Sequence, residues 1–366
     1  MNKEQRIKEL KALSLRTIRE RVHEIKGRLP KEKRNVITYS RNFTLSLSNY
    51  CQNQCGYCFY NYKVPKLKGE GNVVLIENEK MTSLIQKGLE HNCKEGLLIS
   101  GERPNHYKEV QSELEKRGCA DFIEFVKDVS SYLLDFNILP HTNIGYLSYR
   151  ELEDLKKFNA SMGLMLESTS MKLFEKGEVH EKSPKKTPEK RIKHLRNAGK
   201  LKIPFTTGLL LGIGENLSDR IKDLLIIKEI HEEFGHIQEV IIQNFIEKPG
   251  IAFHPPEPIS IQEILKTVGI AKLIFGNEIP VQVPPNLIEN HAEKFLKMGI
   301  DDFGGISPFT ADQINPKKPW PKINTLKRIC SQNGFTLKER LPIYEKYIQE
   351  EGFCSDMILN VINNLR

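Results

Sequence analysis

From residue 34 onward, short apolar runs alternate with longer stretches of helical periodicity. The strand-like runs are 43–47, 96–100, 138–142, 161–166, 204–211, 237–243, 279–284 and 300–304. Between them, apolar residues recur at helical spacing in 80–91, 121–136, 149–158, 188–198, 217–234, 261–275, 286–297 and 322–332. Strand and helix in regular alternation predict a parallel sheet. Eight such units suit an α/β fold of the closed (β/α)8, TIM-type barrel kind. An open doubly wound sheet is the alternative, but no Gly-x-Gly-x-x-Gly follows the first run.

Ahead of this pattern, Ile7, Leu10, Ile18, Val22 and Ile25 recur near helical spacing and stop before Gly27 and Pro30. Residues 1–34 therefore read as a basic helical N-terminal extension. Residues 35–335 read as the barrel, and 336–366 as a C-terminal helical tail. The whole chain carries a net charge of +8, and its first 34 residues supply +7 of it. A nucleic-acid arm is the sharper reading of that charge; an amphipathic helix packed on the main body is the simpler one. No nucleic acid is expected as a partner. A second basic stretch, 181–200, holds eight Lys/Arg against two Glu and two prolines, and reads as a loop leading into a helix.

The chain is 39% hydrophobic, enough for a core, which excludes disorder as the dominant state. No apolar run approaches the roughly 18 residues that span a bilayer, so no membrane is expected. Seven cysteines make an odd count that does not read as a secreted disulfide framework. A cytoplasmic location is the expectation, where clustered cysteines bind metal or do redox chemistry.

Three cysteines do cluster. Cys51-Gln-Asn-Gln-Cys55-Gly-Tyr-Cys58 follows the first strand-like run. Iron–sulfur clusters ordinarily take four thiolates. Three within eight residues leave one iron of a 4Fe-4S cluster open to an exogenous ligand. A zinc site would want a fourth Cys or His nearby, and none follows before His91. Cys93, Cys119, Cys330 and Cys354 are scattered singly and read as small apolar residues.

This spacing at the end of a first barrel strand resembles the radical S-adenosylmethionine (radical SAM) superfamily. The resemblance implies a 4Fe-4S cluster on Cys51, Cys55 and Cys58 and S-adenosyl-L-methionine (SAM) as cofactors. It implies reductive cleavage of SAM to a 5′-deoxyadenosyl radical, with electrons from an external donor. It assigns SAM contacts to Tyr57, to Gly101 and Glu102, to Glu167, and to Gly212 and Gly214. Ser100 stands where the superfamily's Gly-Gly-Glu-like motif has its first glycine.

Stretches 39–42, 161–167, 236–245, 279–287, 299–308, 315–321 and 339–344 together resemble a narrower family, the ring-closing FO synthases of coenzyme F(420) biosynthesis. The aromatic run Phe59-Tyr60-Asn61-Tyr62 departs from that pattern. The implied enzyme is a carbon–nitrogen lyase. Its small-molecule substrate joins a ribitylaminouracil to a hydroxybenzyl group, made by a tyrosine-using sister radical SAM enzyme. The sister enzyme itself, or a relative from menaquinone biosynthesis, is the nearest alternative. An iron–sulfur electron carrier or nucleic-acid-binding protein is the alternative of another class. A uracil and a polyol need matched hydrogen-bonding groups, since each one left unpaired costs roughly 1–3 kcal/mol. Strand-end polar residues are the candidates: Asn143, Gln243, Asn244, Gln282 and Asp301 for substrate, with His141 and Asp302 as acid or base.

Overall fold

The structure, a computed structural model, describes residues 2–65 and 71–366; Met1, where the N-terminal extension was expected to begin, and residues 66–70 lie outside. Eight parallel strands close into a barrel: β1 (Val36–Ser48), β2 (Glu95–Ser100), β3 (Leu139–Asn143), β4 (Ser161–Gly163), β5 (Phe205–Leu211), β6 (Ile237–Asn244), β7 (Val281–Gln282) and β8 (Asp302–Ile306). Each pairs with the next, and β1 pairs with both β2 and β8. That closure excludes the open sheet. All eight runs lie on strands, but β1 begins seven residues earlier than the apolar run and β7 keeps only two residues.

Helices wrap the barrel: α1 (Lys3–Ala12), α2 (Leu15–Gly27), α3 (Lys31–Arg34), α4 (Asn78–Glu90), α5 (Lys108–Lys116), α6 (Phe122–Asp135) and α7 (Tyr149–Lys156). The chain continues through α8 (Pro188–Lys200), α9 (Leu217–Phe234), α10 (Ile261–Phe275), α11 (Ala292–Lys297), α12 (Ile323–Gln332), α13 (Glu345–Gln349) and α14 (Asp356–Leu365). Their starts follow capping chemistry. Asn216, Ser148 and Ser260 cap α9, α7 and α10, each with a carboxylate three residues on that returns the bond. The main apolar core lies between the strands and this helical layer.

The expected helical tail is corrected at its first residues. Thr336–Arg340 forms a ninth strand, β9, parallel to Val36–Ser40 at the start of β1. The run is short and mostly exposed, so hydrophobic periodicity gave no strand signal there. Its last residue, Arg340, turns inward. The helices that follow cover a second apolar cluster of Ile343, Tyr347, Phe353, Ile358 and Ile362 against Leu134 and Leu139.

The basic N-terminal helices are docked on the body. Ile18 and Val22 of α2 are 0% and 2% exposed. Gly269 of α10 lets α2 approach so closely that an added Cβ would lie 2.3 Å from Ile18 Cγ2. Lys26 is buried and donates to the Ile300 carbonyl at 2.7 Å. Truncating Ile18 to alanine removes buried methyl groups from a site that cannot collapse, at a cost of about 2–5 kcal/mol. Ile18→Ala should therefore lower the thermal midpoint by several degrees. An unchanged midpoint would show that α2 contributes nothing to the fold.

Candidate active site

A cavity of about 360 Å³ runs through the barrel from the C-terminal ends of the strands to its base. Cys51, Cys55 and Cys58 all line it, on the loop after β1. That loop is fixed from two sides. On one side it lies flush on Gly101, where an added Cβ would fall 2.0 Å from the Tyr50 carbonyl oxygen. There the Glu102 N–H donates to Cys51 Sγ at 3.1 Å and the Gln52 N–H to the Glu102 carbonyl at 2.8 Å. On the other side the segment after β4 is stitched to it. The Gly56 N–H donates to Val179, the Gln54 N–H to Lys182, and Ser183 Oγ to Cys55 Sγ at 3.2 Å.

The donor set fits a cluster rather than one ion. Among the described residues, no three Cys, His, Asp or Glu side chains converge closely enough to hold a single metal. A four-iron cluster takes each thiolate on a different iron, so its ligands share one space, and all three cysteines line one cavity. Burial, reinforced by the neighbouring thiols, pushes Cys51 up to about 12. Burial raises Cys55 to about 11, against the pull of Lys186. A bound metal would supply the positive charge that favours the thiolate form of thiols so desolvated.

Two carboxylates stand at the rim, each with its own cation. Glu102 accepts from Arg191 Nη2 at 3.0 Å, and its other oxygen has no partner among the described residues. Glu167 has φ +64°, a left-handed conformation that is strained for a residue with a side chain. Tyr57 Oη donates to it at 2.5 Å, Lys186 Nζ pairs with its other oxygen, and His180 lies 3.4 Å away. Burial would raise its pKa, but Lys186 and His180 outweigh burial and hold it well below the usual carboxylate range. The strained turn is anchored from outside the cavity. Asp223 of α9 accepts from the Thr169 N–H and from Ser168 Oγ at 3.0 Å each.

Lys186 and Arg191 were missed in the sequence. They belong to the basic stretch 181–200, whose excess charge was the one available signal. Pairing to the cysteine loop, through the Lys185 N–H and Asn53 Oδ1 at 3.1 Å, brings this segment over the cavity.

Of the other candidates, His141, Asn143, Gln243, Asn244 and Gln282 line the cavity. His141 Nδ1 is 2.6 Å from Ser161 Oγ, which donates to the Pro342 carbonyl at 2.7 Å. The serine proton is thereby committed, so the imidazole must donate from Nδ1, leaving Nε2 as a bare acceptor. Burial, helped by Arg340, lowers His141 to about 4, so the ring is neutral at pH 7.

The structure does not bring Gly212, Gly214, Asp301 or Asp302 to the cavity wall. Gly212 lies in the turn after β5, where its N–H and that of Ile213 donate to Glu215 at 2.8 Å. Gly214 faces Leu173. Asp301 points out of the barrel to Lys272 at 2.8 Å and Lys26 at 3.2 Å. Asp302 is fully buried in the barrel base. Arg340 Nε donates to it at 2.7 Å, and Thr38 Oγ1 and the Gly304 N–H donate as well. His141 is thus the member of the proposed acid–base pair that faces the cavity.

Among known proteins, the family described as the Radical SAM superfamily matches residues 45–227. The chain belongs to that superfamily, which works with a 4Fe-4S cluster and SAM. Solved structures agree on the fold. HydG, a maturase of the FeFe-hydrogenase, superposes with a TM-score of 0.72 at 18% identity, over 97% of this chain and 75% of that one. Methylornithine synthase (PylB) gives 0.67 at 17%, over 91% and 93%. Much nearer in sequence is the 7,8-didemethyl-8-hydroxy-5-deazariboflavin synthase of Methanothermobacter thermautotrophicus, 44% identical over 90% of this chain and 98% of its own. That of Methanocaldococcus jannaschii is 42% identical over 99% and 98%. Within the superfamily, the chain is a member of this synthase family.

One ion pair holds the Glu102 loop and gives a pH test. Arg103, with φ +55°, makes a two-pronged bond to Glu151 at the start of α7, at 2.5 and 2.8 Å. Burial opposes the charge on Glu151, but Arg103 and the Ser148 N–H win and lower it from 4.5 to about 2. The pair's stabilisation, about 1–2 kcal/mol, is therefore present above pH 4.5 and is lost as the pH falls through about 2. Glu151→Gln should lower the unfolding midpoint at pH 7, with the gap to wild type narrowing below pH 4.5. A gap independent of pH would refute the assignment.

Proposed function

We propose that the chain converts the adduct of a ribitylaminouracil and a hydroxybenzyl group to 7,8-didemethyl-8-hydroxy-5-deazariboflavin (FO), as a carbon–nitrogen lyase releasing ammonia. The observation that carries this reading is the 42–44% identity to synthases of that name along nearly the full chain. A single cavity that joins three cysteines to a polar barrel interior supports it. A tyrosine-using sister radical SAM enzyme would supply the adduct, and an external donor the electron. Seven cysteines without a disulfide among them suit the reducing cytosol.

In this reading Cys51, Cys55 and Cys58 hold the cluster, and the Glu102 N–H and Ser183 Oγ stabilise two of the thiolates. The chemistry that cluster and SAM supply when bound is reductive cleavage of SAM and removal of a hydrogen atom from the substrate. Glu102 offers its unpartnered oxygen to the SAM amino group, with Arg191 fixing the other. Glu167, locked by Tyr57 and Lys186, presents a carboxylate that needs no reorganisation. Gly101 contributes by letting the cysteine loop close. Gly212 and Gly214 act only through the turn they shape beside Leu210, which does line the cavity. Asn143, Gln243, Asn244 and Gln282 bind the substrate's polar edges. His141 accepts a proton at Nε2 when the ring system closes.

Anaerobic protein with its cluster rebuilt, given SAM, reductant and the adduct, should yield fluorescent FO, 5′-deoxyadenosine and ammonia. Consumption of free tyrosine without adduct would replace this reading with the sister enzyme's activity. Cys55→Ala should abolish the visible absorption of the rebuilt cluster, and retention of that absorption would overturn the ligand assignment.

A further inference from the structure

The cavity is layered. Alternate residues of each strand face it, and on β2 they run Glu95, Leu97, Ile99; on β6, Glu239, Ile241, Gln243. On β5, Thr206 lies low and Leu210 high. A polar floor is thus separated from the cysteine rim by an apolar belt. Arg340 closes the floor, donating to Glu239 and Asp302 at 2.7 Å each.

Two of the floor's donors are already used. Arg340 is committed to the two carboxylates, and Thr206 Oγ1 donates to Glu239 at 3.0 Å. What remains free is acceptor capacity. Glu95, 6% exposed, has a long contact from Asn42 Nδ2 at 3.4 Å and lies beside the Ser40 hydroxyl, which favours its charged form. Asn42 Oδ1 has no partner among the described residues. Such a floor calls for a ligand that brings several O–H donors on a slender chain. A uracil edge, where carbonyl acceptors alternate with ring N–H donors, meets it less well, and an anion would face two carboxylates.

We propose that this floor is the binding site for a polyol chain, and that Glu95 and Glu239 hold the ribityl chain of the substrate while its rings lie in the apolar belt. The assignment rests on the substrate reading above. Glu95 is the residue that distinguishes it, because among the described residues no cation pairs with its carboxylate, and its contacts with Asn42 and Ser40 leave it acceptor capacity for a ligand.

The test is equilibrium binding by calorimetry to the cluster-rebuilt protein with SAM and no reductant, so that nothing turns over. The ligands are the adduct and an analogue with methyl in place of ribityl. Wild type should bind the analogue about tenfold or more weaker, one to two charge-assisted hydrogen bonds' worth. Glu95→Leu should weaken the adduct by a similar factor and leave the analogue unchanged. Where Glu95→Leu does not fold, Glu95→Gln keeps the shape, and its smaller, several-fold loss should again be confined to the adduct. Equal losses for both ligands, or no loss on removing ribityl, would overturn the floor assignment while FO formation by the same preparation keeps the substrate reading. If wild type neither binds the adduct nor forms FO, both fall together.

Discussion

Arg340 brings a guanidinium into the barrel base between two carboxylates on different walls. Glu239 belongs to β6 and Asp302 to β8, and both are buried. Left alone, each would pay several kcal/mol of desolvation and would repel the other. One Arg340 nitrogen, Nη2, reaches both, at 2.7 and 2.9 Å, and Tyr344 Oη stands 3.1 Å from each. Burial still lifts Glu239 to about 7 against the pull of Arg340. The delivery of this charge explains β9: five residues paired to the start of β1 end on Arg340. A (β/α)8 barrel ordinarily fills its interior with stacked aliphatic side chains. Here an ion network closes the base, and space remains above it.

The same economy governs the rim. Glu102 has Arg191, and Glu167 has Lys186, so the carboxylates that face the cysteines are neutralised in advance by cations of the chain. The charges are fixed before any ligand arrives, and binding need not reorganise them. Glu95 breaks this rule. It is buried, burial raises its pKa against the pulls of Ser40, Arg340 and Asn42, and among the described residues no cation is in contact with it. A carboxyl group left in that state inside a cavity marks where the protein expects a ligand to complete its hydrogen bonds.

The sequence made the barrel, the cysteine loop and most strand-end polar residues legible, because period-two alternation and motif spacing are local. Contacts made over long sequence separation were not. Arg340 was unreadable because its strand is short and its partners lie 38 and 101 residues away. Lys186 and Arg191 were hidden in a basic stretch whose other members face water. The pair Asp301 and Asp302 shows the limit most clearly. Consecutive residues at a strand start face opposite sides. One therefore answers Lys26 and Lys272 outside while the other answers Arg340 inside, and neither reaches the cavity. Lys26 also changes the meaning of the basic N-terminus, since part of its charge is spent on Asp301 within the fold.

Depth argues for the kind of molecule the cavity admits. From Glu239 to Gln243 the strand rises four residues, about 13 Å. Along that rise the wall passes from carboxylate to isoleucine to amide. A free amino acid, with one ring and one charged end, would meet either the floor or the rim but not both. A molecule with a hydroxylated chain, a ring system and a reactive end can match all three layers at once. The charges support the same conclusion. The rim already balances its carboxylates against lysine and arginine, whereas the floor sets three carboxylates against one guanidinium and is left short of donors. Neutral hydroxyls satisfy that shortage without adding an ion to a buried site, which the floor's three carboxylates and single guanidinium could not otherwise accommodate.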